Sequence, residues 1–476
     1  MRIERVLRGL RGLACLLGAA ATLGGCAAGS LRRDLRDVSA ATGATFSREV
    51  TDERAVSEET ERSVRGLVAG GLSADTALRV AMLNNRALRA QLRELGVARG
   101  QLIQAGVLPN PSVTFDLRRS TDRAQDLQVD VEAEIDLTEI LLRPLRVGVA
   151  NASLQAARAR AASEVVRLRY SVRAAFYRAQ AAEARLVLAR RALDAFAASR
   201  DAGRMLFEAG NIARLDLSLH EAAYEQARIQ LAQAELEVLG STERLQRLLG
   251  LSGADTAWQL TGEMPALPAE APHPEGIENT VILASFDLAA MRARLESLAR
   301  RTGLLSLQGW LPDVSVDVHA EQDGNAWELG GGVRAGLPVF NRQQGNLRAA
   351  EAEFDGLRER YIGLAIDLRS EAREARGRVA LAWARAHQWG DVIVPARDRV
   401  MQETQLQYNA MQVGVFQLLN ARREQLEAAQ SAVSARADYL TAQAALDALI
   451  QGARVEALDA PQNSVGASGA AQPDRH

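Results

Sequence analysis

The sequence predicts a mainly α-helical, internally duplicated chain that carries a small membrane-spanning β part. Three observations lead there. "VLPNPSVTFDL" from Val107 is echoed by "WLPDVSVDVHA" from Trp310, and "FEAGNIARLDL" from Phe207 by "YNAMQVGVFQL" from Tyr408, each about two hundred residues on. Long Ala-rich stretches keep a three-four apolar alternation over several heptads. Four shorter stretches alternate apolar and polar side chains with period two.

The bulk properties set limits first. With 476 residues, a net charge of −2, 24% charged and 4% aromatic side chains, the chain is long enough for several packed units. It has no basic surplus for a nucleic-acid partner.

The N-terminal "MRIERVLRGLRGLACLLGAAATLGGCAAG" has a basic start, a short apolar stretch and a small-residue end, the layout of an export signal over residues 1–25. Its "LGGC" resembles the lipobox of bacterial lipoproteins, which implies that Cys26 becomes the acylated first residue of the mature chain. Ala27 then stands where the inner-membrane retention signal has Asp, so the resemblance points to the outer membrane. Cys15 and Cys26 are the two cysteines, so the mature chain is expected to have no disulfide, zinc cluster or thiol catalysis. Apart from a covalent lipid on Cys26, no cofactor is expected. Residues 26–71 read as an acylated N-terminal linker, much of it with the composition of disorder. No later run of 18 apolar residues occurs, so spanning falls to strands.

Residues 72–250 form the first repeat and 277–452 the second. Each has a helical opening, two alternating segments, a long helix, a break and another helix. The alternating segments are Val113–Leu117, Leu127–Leu137, Val314–Ala320 and Trp327–Leu337. One parity is apolar (Val129, Val131, Ala133, Ile135 in the second segment) and the other is polar, charged or Gly, as expected of a strand between lipid and water. Trp310 and Trp327 lie where an aromatic girdle would sit. The long helix of the first repeat keeps Leu154, Ala161, Val165, Leu168, Val172, Ala175, Ala179 and on to Phe196 on one seam. From Leu145 to Arg200 it would extend on the order of 75 Å. The second copy runs from Leu347 and shifts by one residue after Leu368. Gly203 and Gly210 in one copy and Gly414 in the other mark the breaks, which read as hairpin tips. Residues 251–276 are a Gly/Pro-rich linker, and 453–476 have the composition of a disordered tail.

Four strands with one greasy face cannot stay open in a bilayer, and four are too few to close a barrel. Several copies must therefore share one barrel. Val129, Val131, Ala133 and Ile135 would face lipid, and Asp130, Glu132, Glu134 and Asp136 a watery lumen.

Over about residues 72 to 452 the chain resembles the TolC-like outer-membrane factor (outer membrane efflux protein) family. The resemblance rests on "ADTALRVAMLNNRALRAQ", "AGVLPNPSV", "FEAGNIARLDL", "GLPVFNRQQGNLRAAEAEF" and "YNAMQVGVFQLLNARR", in that order. It implies a homotrimer with a shared twelve-strand outer-membrane β-barrel and a periplasmic α-barrel of long coiled-coil helices. It also implies docking through the hairpin tips, at Gly210, Asn211, Met411, Val413 and Gly414, onto a periplasmic adaptor protein that serves an inner-membrane pump. Met411 departs from the family's common Tyr-x-x-Gly. Asp216 has two readings: an acidic ring narrowing the lumen near the tip, as the resemblance implies, or a helix-start carboxylate.

No catalytic constellation is expected. The five His (His220, His273, His319, His387, His476) show no ligand spacing, so no metal site is expected, and Gly330–Gly332 lack the strand–helix context of a phosphate loop. The leading expectation is an exit duct of a tripartite efflux system in the outer membrane of a Gram-negative bacterium. The acidic strand favours cations, and "YNAMQVGVFQLL" leans toward the heavy-metal branch. Drug efflux or type I protein secretion would use the same architecture. A periplasmic adaptor lipoprotein would need one hairpin with lipoyl-type domains, and a structural coiled-coil lipoprotein has no use for four amphipathic strands.

Overall fold

The computed structural model describes residues 27–44, 56–118, 128–272, 275–323 and 326–455. The expected signal peptide, Cys26, His273, His476 and the tail beyond Val455 lie outside the described residues.

The chain opens with α1 (Ala27–Thr42) and α2 (Val56–Ala69). These correct the reading of residues 27–71 as disordered. Leu35 and Val38 of α1 are buried in the core, and Asp34 is fully buried between Arg99 and Arg158, whose Nε atoms donate at 2.8 and 2.9 Å. The arginines supply the partners that a lone polar helix lacks.

The first repeat runs α3 (Ala74–Asn84), α4 (Arg86–Gly106), β1 (Ser112–Arg118), β2 (Gln128–Asp136), α5 (Leu137–Glu208) and α6 (Arg214–Leu249). The second runs α7 (Ile277–Ala284), α8 (Phe286–Gln308), β3 (Asp313–Asp323), β4 (Ala326–Gly336), α9 (Gln344–His387), a π-helical turn (Gln388–Ile393), α10 (Val394–Asn409) and α11 (Val415–Ile450).

Each repeat is closed by the same device. Asn85 caps α4 through the Leu88 N–H (2.8 Å), and Ser285 caps α8 through the Leu288 N–H (3.2 Å). Against each cap lies a left-handed glycine that ends the repeat's last helix, Gly250 (φ 69°) and Gly452 (φ 98°). A Cβ on Gly250 would sit 2.6 Å from the Asn84 carbonyl, so only glycine permits the approach. Asn84 and Asn85 then donate to the carbonyls of Gly250 (2.6 Å) and Leu248 (2.8 Å), which the helix end leaves free.

With 72 residues, α5 measures roughly 110 Å at 1.5 Å per residue. It starts earlier than the sequence suggests, because the Asp136 carboxylate accepts the Glu139 N–H (2.8 Å) and β2 enters the helix without a loop. Leu137, expected in the strand, is its first residue. The seam Leu154, Ala161, Val165, Leu168, Val172, Ala175 and Ala179 is buried, as are Leu357, Leu364, Leu368, Ala372 and Val379 of α9. Its small residues let helices approach closely.

The four strands form one antiparallel sheet in the order β1-β2-β3-β4. The β2–β3 pairing joins the repeats, with Ile135 opposite Val316 and Glu132 opposite His319. Thr138 Oγ1 ties the base of the sheet to the second repeat, donating to the Pro312 carbonyl (3.0 Å) and accepting from the Val314 N–H (2.7 Å).

Candidate functional site

The register puts every apolar strand position on one face. Phe115 is opposite Val131, which is opposite Ala320, which is opposite Leu329. Phe115, Leu117, Val318, Leu329 and Val333 are all exposed in the single chain. That is a continuous apolar surface with no protein cover among the described residues. Trp327 stands at the start of β4, and Trp310 and Phe340 at the opposite end where the strands meet the helices. The eleven residues of β4, tilted, span a band about 25 Å tall, the height of the apolar belt of an outer-membrane barrel. The Arg342 guanidinium lies 5.5 Å from the Trp310 ring centroid. Phe340 was missed in the sequence because it stands outside the alternating run, three residues after Leu337.

The opposite face brings together Asp130, Glu132 and Glu134 of β2 with Asp317, His319 and Glu321 of β3. Asp116 of β1 and Glu328 of β4 continue it. Arg334 is its counter-charge, 2.9 Å from Glu134 Oε1 and 3.7 Å from Glu132 Oε1. The Gly330–Gly332 run gives these side chains room. A Cβ on Gly332 would lie 2.6 Å from Asp317 Oδ1, and one on Gly330 would strike the His319 ring. Asp136 stands at the base of this wall, in a pocket with Glu134 and Arg334, and also caps α5. Among the described residues no group of three or more His, Cys, Asp or Glu side chains is arranged to hold a metal ion. No helix among the described residues is long and apolar enough to cross a membrane.

At the far ends of the long helices the two hairpin tips use one turn. The N–H groups of Gly210 and Asn211 donate to the carbonyls of Phe207 (2.9 Å) and Leu206 (2.8 Å), and those of Met411 and Gln412 to Tyr408 (2.9 Å) and Gln407 (2.9 Å). This is the Schellman closure of a helix C-terminus. Gly210 and Met411 are its left-handed residues. Gly414 is not a turn glycine. Its φ is −82°, it precedes α11 as Ala213 precedes α6, and its N–H donates to Gln417 Oε1 (2.9 Å). Asp216 does the same for the Ala213 N–H (3.2 Å), which is the helix-start role. Gly203 is likewise no turn residue: it lies inside α5 beneath the ring of His220. His220 is buried on α6, its Nδ1 2.8 Å from Ser199 Oγ, and burial pushes it below the ordinary imidazole value while Asp216 pulls the other way. Between the hairpins lies an open groove lined by Phe196, Ala223, Phe416 and Leu419.

Residues 77–251, the first repeat, match the family described as outer membrane efflux protein. The cobalt-zinc-cadmium resistance protein CzcC of Cupriavidus metallidurans is 27% identical over 367 residues, which is 76% of this chain and 85% of that protein. A membrane protein from Pseudomonas aeruginosa shares the fold with a TM-score of 0.70 at 19% identity, over 79% of this chain and 92% of its own. The outer-membrane channel OprN does so at 0.68 and 18%, over 87% and 95%, and CusC at 0.64 and 18%, over 79% and 91%.

Proposed function

From the premise that the chain belongs to the TolC-like outer membrane efflux protein family, and is a transport duct rather than an enzyme, we propose that it works as a homotrimeric exit duct for heavy-metal cations. The observation that carries the proposal is the sheet. It has a bare apolar face, an acidic face and two unpaired edges, and its β2 runs straight into a helix of roughly 110 Å. Open edges in hydrocarbon leave each unpaired backbone group several kcal/mol short, so the edges must be met by other copies. Three copies give twelve strands, within the range that closes.

The acidic face supports cation passage. Carboxylates of the sheet (Asp116, Asp130, Glu132, Glu134, Asp313, Asp317, Glu321, Glu328 and the capping Asp136) stand against Arg334 and Arg118, and a ring of copies multiplies the field. The relative CzcC, a cobalt-zinc-cadmium resistance protein by name, supports the same cargo. The tips at Gly210, Asn211, Met411, Val413 and Gly414, with Asn211 and Met411 exposed, and the apolar groove beside them would receive a periplasmic adaptor protein bound to an inner-membrane pump. A lipid on Cys26 would hold the chain at the outer membrane.

A susceptibility panel of a deletion strain tests the cargo. Sensitivity to cobalt, zinc, cadmium, copper or silver with drugs unchanged is the expected result. Selective sensitivity to antibiotics or dyes would make this a drug duct and the carboxylates a solvated wall.

A further inference from the structure

The linker between the repeats is stitched across three helices by side chains that donate to its carbonyls. Gln180 of α5 reaches Gly262 (2.9 Å), Arg436 of α11 reaches Met264 (2.6 Å) and Pro265 (2.8 Å), and Trp383 of α9 reaches Pro268 (2.9 Å). The last stitch is double. His387 Nε2 also lies 3.2 Å from the Pro268 carbonyl, while its Nδ1 lies 2.5 Å from Asp391 Oδ2.

Both ring nitrogens therefore face acceptors. A neutral imidazole has one N–H and satisfies one of them, whereas the imidazolium donates to both. The Trp383 ring, 4.4 Å away between centroids, adds a π face beside the cation. Asp391 belongs to the π-helical turn Gln388–Ile393, which interrupts the second long helix just before Pro395. In the first repeat α5 passes through without such a break. Single π turns inside long helices are where such helices yield.

We propose that residues 262–268 are an equatorial strap buckled by protonated His387, and that loss of this proton releases the strap from the π-helical turn and loosens the second hairpin, α10–α11. In the neutral ring the carboxylate of Asp391 keeps the remaining N–H. The Nε2 lone pair then faces the Pro268 carbonyl, and repulsion replaces a hydrogen bond.

The charged groups that the packed elements bring here are few. α9 and α11 contribute the Arg385–Asp438 pair, and α10 and α11 the Arg397–Glu424 pair with Asp398. Arg185 of α5 and Glu427 of α11 line the adjoining cleft with Trp389, and Glu263 and Glu270 flank the strap. Asp391 is the charged group in contact with the ring, and its hydrogen bond, then that of Pro268, holds His387 above the ordinary imidazole value. A raised value means that the buckle is complete below about pH 6.5 and opens as pH rises through the higher folded value.

Hydrogen–deuterium exchange of the full-length protein, corrected for intrinsic rates, tests this at about pH 5.5 and about pH 8.5, either side of the histidine range. Amides of the π-helical turn and the strap are expected to exchange about tenfold faster at the higher pH. His387→Gln should exchange fast at both, and Asp391→Asn should move the transition to lower pH. Equal protection at both pH values, or a wild-type pH dependence in His387→Gln, would overturn the proposal. Should His387→Gln fail to assemble, the wild-type profile and Asp391→Asn still decide. None of these readouts depends on what the duct carries.

Discussion

Gly210 and Met411 occupy the same position in two copies of one turn, with φ of 73° and 58°. In both, the left-handed residue follows an alanine and sends its N–H back three residues. Glycine takes this conformation freely, whereas a side chain there costs about 1 kcal/mol or more. Met411 is 94% exposed, so burial within the chain does not offset the strain. The second tip thus carries strain and a projecting thioether where the first carries neither.

Met411→Gly should therefore stabilise its own tip by about 1 kcal/mol, seen as roughly fivefold slower amide exchange of Gln412. Gly210→Ala should speed exchange at Asn211 by a similar factor. Gly414→Ala should change little, since its φ suits any residue and Ala213 already holds that place in the first tip. An effect of Gly414→Ala as large as that of Gly210→Ala would contradict the assignment of roles.

Adjacent residues of β2 separate the two media. Val131→Lys puts a charge on the apolar face near its middle, at a cost of about 2 to 4 kcal/mol per copy if that face meets lipid, and stable membrane assembly should fail. Glu132→Lys reverses a charge on the other face and should assemble normally. Heat-modifiable trimer yield on gels measures both. Equal yields would show the sheet to be placed wrongly.

Asp34 fixes α1 to the rest of the chain. Asp34→Ala leaves Arg99 and Arg158 part-buried without their shared carboxylate, a loss of up to about 3 kcal/mol. α1 should then detach and become open to limited proteolysis, while the proposed trimer is expected to persist. Unchanged cleavage would mean that the apolar contacts of Leu35 and Val38 suffice.

All 57 basic residues are arginine, so the chain holds no lysine amine. Acylation of the Cys26 amino group would leave a mature protein without any primary amine. An amine-reactive dye should then give no labelling of protein purified from membranes. One label per chain would show a free N-terminus.

His220 and His387 respond to acid with opposite sign. Buried His220 is held below the ordinary imidazole value, so the unfolded form takes up the proton first and stability falls as pH drops below about 6.5. Exchange at Ser199 to Gly203 should quicken between about pH 7.5 and about pH 5. His220→Gln should remove that dependence, and persistence of the dependence would assign it to another group.

Strands and seams were legible because every residue of a periodic run repeats the message. Val129, Val131, Ala133 and Ile135 cannot be shifted by one place without turning the whole set over. What the sequence hid were roles set by partners far along the chain. Asp34 looks like solvated charge until Arg99 and Arg158 arrive, and with them a segment of disorder-like composition becomes helix. Asp136 keeps the acidic parity of its strand, and nothing local says that it will also cap α5. Gly414 looks like a turn residue in the sequence because glycine serves N-caps as well as left-handed turns. The π-helical turn leaves no trace in composition, since it adds one residue to a helix that is otherwise regular.

The sheet's edges dictate how copies can meet. In the order β1-β2-β3-β4, with each neighbour antiparallel, β1 and β4 run in opposite directions. Two copies inserted in the same sense would set β1 against β1, or β4 against β4, as a parallel pair and break the ladder's alternation. β4 of one copy against β1 of the next continues it unchanged. Growth around the membrane hole is therefore one-way, like links that join only head to tail. Mirror-related pairs are excluded by strand direction alone, and only the return of the last β4 to the first β1 ends the process.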